Sequence, residues 1–275
     1  MTASPKLKTG GTALGRPAEL LAIIGGLLLG LPVVVLVARA VLSGSLLATL
    51  GARAVTDALL LSLVTTAVSI VLMVLIGTPL ALVLARRRFR GAAILETVID
   101  LPIVLPPSVA GLALLLLLGR RGVLGPSLDL LGIQLPFTTA AVVIAQTFVA
   151  APFYIRSARI GFAGVDRDLE DAARVDGASE RQLFLAITVP LASAALAGGL
   201  VMSWARALGE FGATIMFAGN VEGHTQTLPL VVYGEFQAGN LDTSIAAAAV
   251  LVVAAFGVLV AVRVMHWGRV LDLRV

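Results

Sequence analysis

The fold class this sequence predicts is an all-α membrane protein of about six transmembrane helices, and three observations predict it. First, 59% of its 275 residues are hydrophobic and only 13% charged, with a mean hydropathy of +1.02. That lies far outside the profile of a water-soluble domain. Second, six runs contain no Asp, Glu, Lys or Arg: 20–38, 58–85, 101–119, 130–155, 182–205 and 243–262. Each is close to or above the roughly 20 residues a helix needs to cross a bilayer. Third, the basic residues alternate between the two ends of these runs very unevenly. With the N-terminus inside, that side carries Lys6, Lys8, Arg16, Arg86, Arg87, Arg88, Arg90, Arg156, Arg159, Arg167, Arg174, Arg181, Arg263, Arg269 and Arg274. The opposite side receives Arg39, Arg53, Arg120 and Arg121. The positive-inside rule therefore predicts N-in and C-in.

Taken in order, the first run is read as a retained span preceded by a cytoplasmic tail, 1–17, since its core is long and no small-x-small cleavage site follows it. The second run contains Pro79, a kink position. The third contains Pro102, Pro106 and Pro107, whose interruption frees backbone groups that protein or a water-filled cavity must cover. The fifth run is expected to continue as helix through Arg206 and Glu210 towards Phe217. Loops are expected near 43–57, 86–95, 120–136, 161–190 and 218–241. No segment between the runs is long enough to fold alone, so the chain is read as a single transmembrane domain, 1–275.

Composition also excludes chemistry. Cysteine is absent, which removes disulfides, thiol catalysis and Cys-based metal sites. The sequence pI near 10.3 does not point to nucleic acid, because the basic residues are dispersed between apolar runs. No His/Cys/carboxylate cluster has metal-ligand spacing. Lys6 and Lys8 are the sole lysines, and neither sits in G-x-x-x-x-G-K-[ST], so the chain is no P-loop ATPase. A lone loop histidine such as His224 is seldom a ligand, and His266 beside Trp267 reads as a membrane-interface residue. Arg120 and Arg121 fit either attraction of an anion or ordinary interfacial anchoring. The run Arg86–Arg90 reads as a topology anchor against lipid head groups.

The longest polar interruption, 166–190, reads DRDLEDAARVDGASERQLFLAITVP. It is predicted to form two short helices. Asp166 or Asp168 can cap the first, where acidic residues suit the helix dipole. Gly177 ends it, since glycine enters the left-handed conformation cheaply. Ser179-x-x-Gln182 fits a capping box for the second, and Pro190 is expected to close the segment. This stretch resembles the EAA loop of permease subunits in binding-protein-dependent ABC importers: Asp171-Ala172-Ala173, then Gly177, then Ile187, then Val189-Pro190 fall at the family's spacings. Asp171 for Glu and Val189 for Leu are conservative departures. The resemblance implies that the cytoplasmic loop 161–190 docks on a separate ATPase subunit through Asp171, Ala172, Ala173, Gly177, Phe184, Ile187 and Pro190. Small alanines allow close approach, Leu183, Phe184 and Ile187 offer an apolar face, and Asp171, Glu180 and Arg181 supply rim pairs.

Two further stretches, LPIVLPPSVAGLALLLLLGRRGVLG from Leu101 and RALGEFGATIMFAGNVEGHTQTLPLVVY from Arg206, are similar to permeases of molybdate importers. Sulfate permeases share much of the second. The likeness covers about 57–262, while the first 55 residues carry no motif. It implies a type I importer fold, import of molybdate or tungstate by alternating access, and location in the bacterial cytoplasmic membrane. It also implies partnership with an ATPase, an extracytoplasmic oxyanion-binding protein and a second copy of the chain. No cofactor is expected on this chain; ATP and Mg belong to the partner ATPase. Ser108, Ser203, Arg206, Glu210 and Thr214, with Gly209, Gly212 and Ala213, are candidates for the pathway or its gate. Arg206 and Glu210 also fit a structural ion pair, which the spacing favours, and the small residues also fit helix packing. An ion-coupled secondary transporter would want more buried acidic residues than Glu210. An intramembrane enzyme would want a catalytic constellation that the spans lack.

Overall fold

The computed structural model describes residues 16–87 and 89–272, and every regular element among them is a helix. The first fifteen residues of the expected N-terminal tail, with Lys6 and Lys8, lie outside them, as do Arg88 and Arg274. The chain runs α1 (Arg16–Leu42), α2 (Ser45–Gly51), α3 (Arg53–Arg86), α4 (Ala92–Val104), α5 (Pro107–Leu118), α6 (Gly125–Leu130) and α7 (Thr139–Ala163). It continues through α8 (Arg167–Val175), α9 (Glu180–Leu183), a π-helical turn (Phe184–Thr188), α10 (Val189–Leu208), α11 (Gly212–Phe217), α12 (Leu228–Gln237) and α13 (Leu241–Asp272).

Five stretches are long and apolar enough to cross a membrane, and the bent pair α4–α5 makes a sixth if taken as one span. The third run is thus no continuous helix: α4 and α5 meet at 118°. Proline chemistry explains the break. Leu105 and Pro106 are both extended, as residues preceding proline prefer, and Pro107 opens α5 where its missing N–H costs nothing. The fourth span begins at Thr139 rather than 130, because Thr138 accepts a hydrogen bond from the Ala141 amide and caps α7 there. The fifth ends at Leu208, short of Phe217. The expected loops 43–57 and 218–241 hold α2 and α12.

The layering follows from side-chain type. α1 is apolar on every side and its hydropathic core is unburied, so it lies at the periphery against α13 and α2. α7 is the least apolar span and half buried, and it packs on α3, α10, α11, α4 and α5. Several of its polar residues have partners inside the bundle. Gln146 is fully buried, where its amide donates to Thr66 (3.3 Å) and its carbonyl accepts from Ser69 (3.1 Å). Tyr154 bonds Thr78 at 2.6 Å. Such buried bonds satisfy groups that lipid could not.

Alanines at the α7 contacts (Ala141, Ala145, Ala150, Ala158) are all fully buried and permit close helix approach. α3, at 34 residues, is roughly 50 Å long, more than the roughly 30 Å hydrocarbon core. It overreaches the bilayer, and its final residue, Arg86, meets the hairpin.

Candidate functional site

The hairpin of α8 and α9 is built as its sequence suggests at the caps. Asp166 accepts from the Asp168 amide at 3.0 Å, and Ser179 and Gln182 form a reciprocal capping box. Gly177 turns the chain with φ +88, and nothing lies within 4 Å of the place a Cβ would occupy. Space is available there; only the backbone conformation demands glycine.

Pro190 does not close the segment. Residues 180–208 form one helical rod, so the second arm of the hairpin is the start of the fifth span. A proline inside a helix removes one N–H and crowds the carbonyl four residues back. The π-turn immediately before Pro190 absorbs this, the Val189 amide bonding Phe184 O, five residues back.

Four expected docking residues are already engaged. Leu183 is buried, and half-buried Phe184 packs on Phe162 with ring centroids 6.2 Å apart. Asp171 and Glu180 are held by Arg174, at 2.7 and 2.8 Å, which bridges the turn from α8 to α9. Bonding to Glu180 first, and to Asp171 second, raises the Arg174 guanidinium above its ordinary range. Ala172 and Arg181 are exposed, Ala173 and Ile187 partly so. The apolar side chains that the hairpin presents outward are Leu169, Val175 (87% exposed) and Leu185.

Sequence reading missed the residue that fixes the hairpin to the bundle. Glu170, only 6% exposed, accepts from Arg86 of α3 at 2.5 Å and from Thr188 of the π-turn at 2.8 Å. Arg167 returns a bond to the Arg86 carbonyl at 3.4 Å. Beside this joint a cavity of about 530 Å³ is lined by Arg86, Arg87, Arg167, Asp171, Arg174 and Glu180 among others. Nearby, Arg156 and Arg159 of α7 pair with Asp100 (2.6 Å) and Glu96 (2.9 Å) of α4.

The pathway candidates separate into two groups. At the break after α10, Glu210 is 1% exposed; it pairs with Arg206 at 2.5 Å and accepts from the Ala213 amide at 2.7 Å, so it caps α11. The start of α11 lies against the start of α5. A Cβ on Gly212 would stand 2.6 Å from Pro107 Cβ and 3.1 Å from the amide of exposed Ser108; one on Gly111 would stand 2.6 Å from Ala213 O. The two interrupted spans therefore meet at their breaks. Ser203 and Thr214 are fully buried instead. Ser203 donates to Ala150 O of α7 at 3.1 Å, and the Thr214 hydroxyl has no partner. Arg120 bonds Gln134, Arg121 is exposed, and the His224 carbonyl accepts from Thr139. The His266 side chain lies outside the described residues.

A multi-span helical bundle with two broken spans and a polar helical hairpin anchored on α3 and α10 is the frame of a membrane permease. Residues 77–274 match the family described as binding-protein-dependent transport system inner membrane component, and the chain belongs to that family. It is 46% identical to the molybdenum transport system permease protein ModB of Mycobacterium tuberculosis, over 72% of this chain and 75% of that one. It is 41% identical to ModB of Escherichia coli K12, over 64% and 78%. The sulfate transport system permease protein CysW of Synechococcus elongatus is 38% identical over 74% and 71%. In fold it is similar to a bacterial ABC transporter that imports the acidic polysaccharide alginate, with TM-score 0.72 and 18% identity over 92% of this chain and 94% of that one. That fold is the type I importer permease fold.

Proposed function

We propose that this chain is the permease of an ATP-driven importer of molybdate or tungstate in a bacterial cytoplasmic membrane, N-in and C-in. The observation that carries the coupling is the hairpin: a solvent-facing element bearing the Asp171–Pro190 motif and roped to α3 and α10 through buried Glu170. A separate ATPase docks there, on Ala172, Ala173 and the outward apolar residues, and supplies the ATP and Mg chemistry that this chain has no phosphate loop to perform. The identity to molybdenum permeases supports the cargo, and the names of those relatives speak of transport rather than catalysis. A loaded oxyanion-binding protein delivers cargo at the opposite face, and two copies of the chain enclose the path. The meeting of α5 and α11, with Ser108 exposed beside Gly212, supports a gate at that point; the Arg206–Glu210 pair braces the break behind it.

A second reading, sulfate, is favoured by the likeness to CysW. Uptake of radiolabelled molybdate into proteoliposomes is expected to require the ATPase, ATP and the loaded binding protein together, with tungstate competing and sulfate failing to. Competition by sulfate at equal concentration would transfer the assignment to sulfate. Uptake by the chain alone along an ion gradient would remove the importer reading altogether.

A further inference from the structure

We propose that Glu170 is a positioning residue for transport: the joint through which movement of the hairpin reaches α3 and α10 simultaneously. The inference rests on the hairpin being the ATPase-docking element. Glu170 stands immediately before the motif, and its side-chain bonds run inward to Arg86 and Thr188. Its carboxylate joins three segments: α8, which carries it, the last residue of α3 (Arg86, 2.5 Å) and the π-turn leading into α10 (Thr188, 2.8 Å). The side chains of Glu170 and Arg86 are 7% and 17% exposed. A charge so placed cannot be left unpaired cheaply, so the pair travels together rather than parting.

The neighbouring clamp works differently. Arg174, Asp171 and Glu180 have side chains 42%, 69% and 75% exposed. Exposed pairs of this kind hold weakly, and these join only one arm of the hairpin to the other. They hold α8 to the first residue of the 180–208 rod and do not reach α3. Reciprocal bonds stiffen the inner joint: Arg86 also reaches Val165 O at 3.5 Å, and Arg167 reaches the Arg86 carbonyl at 3.4 Å. At the other end, Thr188 sits in the one stretch of the 180–208 rod whose hydrogen bonding departs from the α pattern. A π-turn is one of the few places where a helix kinks, and such turns are frequent at functional sites. A pull on Glu170 is thus delivered to the last residue of α3 and to the π-turn that leads into α10.

The test uses the complete complex of permease, ATPase and binding protein in proteoliposomes, with radiolabelled molybdate. Glu170→Gln keeps the shape and an acceptor for Thr188 but removes the charge that Arg86 pairs with. It is expected to leave ATP hydrolysis per complex running while molybdate moved per ATP falls about tenfold, within the span typical of couplings between sites. Glu170→Asp should recover part of that ratio. Thr188→Val, which replaces the hydroxyl with a methyl of similar size, should lower it in the same direction and keeps the test open if Glu170→Gln fails to assemble. A merely structural role predicts less complex with hydrolysis and uptake falling in parallel; an unchanged ratio in Glu170→Gln or Thr188→Val overturns the proposal.

Docking is read separately by placing a cysteine at exposed Ala172, in a chain that has no other, and attaching a maleimide photo-crosslinker. Crosslinking to the ATPase at equal yield with and without Glu170→Gln is the expected result. Absence of crosslinking in the otherwise unsubstituted chain overturns the docking reading and this inference with it.

Discussion

Among single residues, Arg206 and Glu210 show how far spacing alone can be read. Four apart and both ionisable, they were legible as a pair. That Glu210 leaves the helix and caps the next one was not, because the chain turns at Gly209. The geometry separates their roles. Arg206→Ala strands a carboxylate that is 1% exposed, a loss on the order of 3 kcal/mol. Glu210→Gln keeps an acceptor for the Ala213 amide and should cost clearly less. Heating the detergent-solubilised protein and following the surviving peak by gel filtration would rank the two; equal losses would contradict the assignment of the cost to the stranded charge. Glu170 was illegible for a different reason. In sequence it resembles its solvent-facing neighbours Asp168 and Asp171, and its burial is decided by Arg86, 84 residues away.

At the level of elements, runs free of charge located the spans but not their ends. Ends are set by local chemistry that such a count ignores: the Thr138 cap on α7, the Pro106–Pro107 break, the Gly209 turn. α12 was missed because ten residues between two polar turns carry too little periodicity to declare themselves. The hairpin, by contrast, was largely legible, since caps and a left-handed glycine are local signals. Its turn makes a sharp prediction. With open space around Gly177 and φ at +88, Gly177→Leu suffers only the backbone penalty, about 1–2 kcal/mol. Gly177→Asn, which enters that conformation more readily, should suffer less. Binding-protein-stimulated ATP hydrolysis should therefore fall in the order glycine, asparagine, leucine, with membrane insertion unchanged in all three. Reversal of asparagine and leucine would mean that side-chain contact with the partner, and not the turn, governs the effect.

For the whole molecule, the bundle places its polar residues inward around α7 and leaves α1 facing lipid, an arrangement that follows from composition once the bilayer is the solvent. Two copies carrying different tags and produced together should co-purify when either tag is captured, if the complex contains a pair of this chain; capture of one tag without the other would call for a different second permease. The π-turn bears on how such a chain can vary. In counting terms it is one residue too many for an α-helix. Substitutions at 184–188 leave that count intact, whereas loss of a single residue there would restore the α pattern, because the wide turn is what accommodates the extra residue. The turn that sets Thr188 beside Glu170 would be lost with it. Length, more than composition, is what this stretch has to preserve.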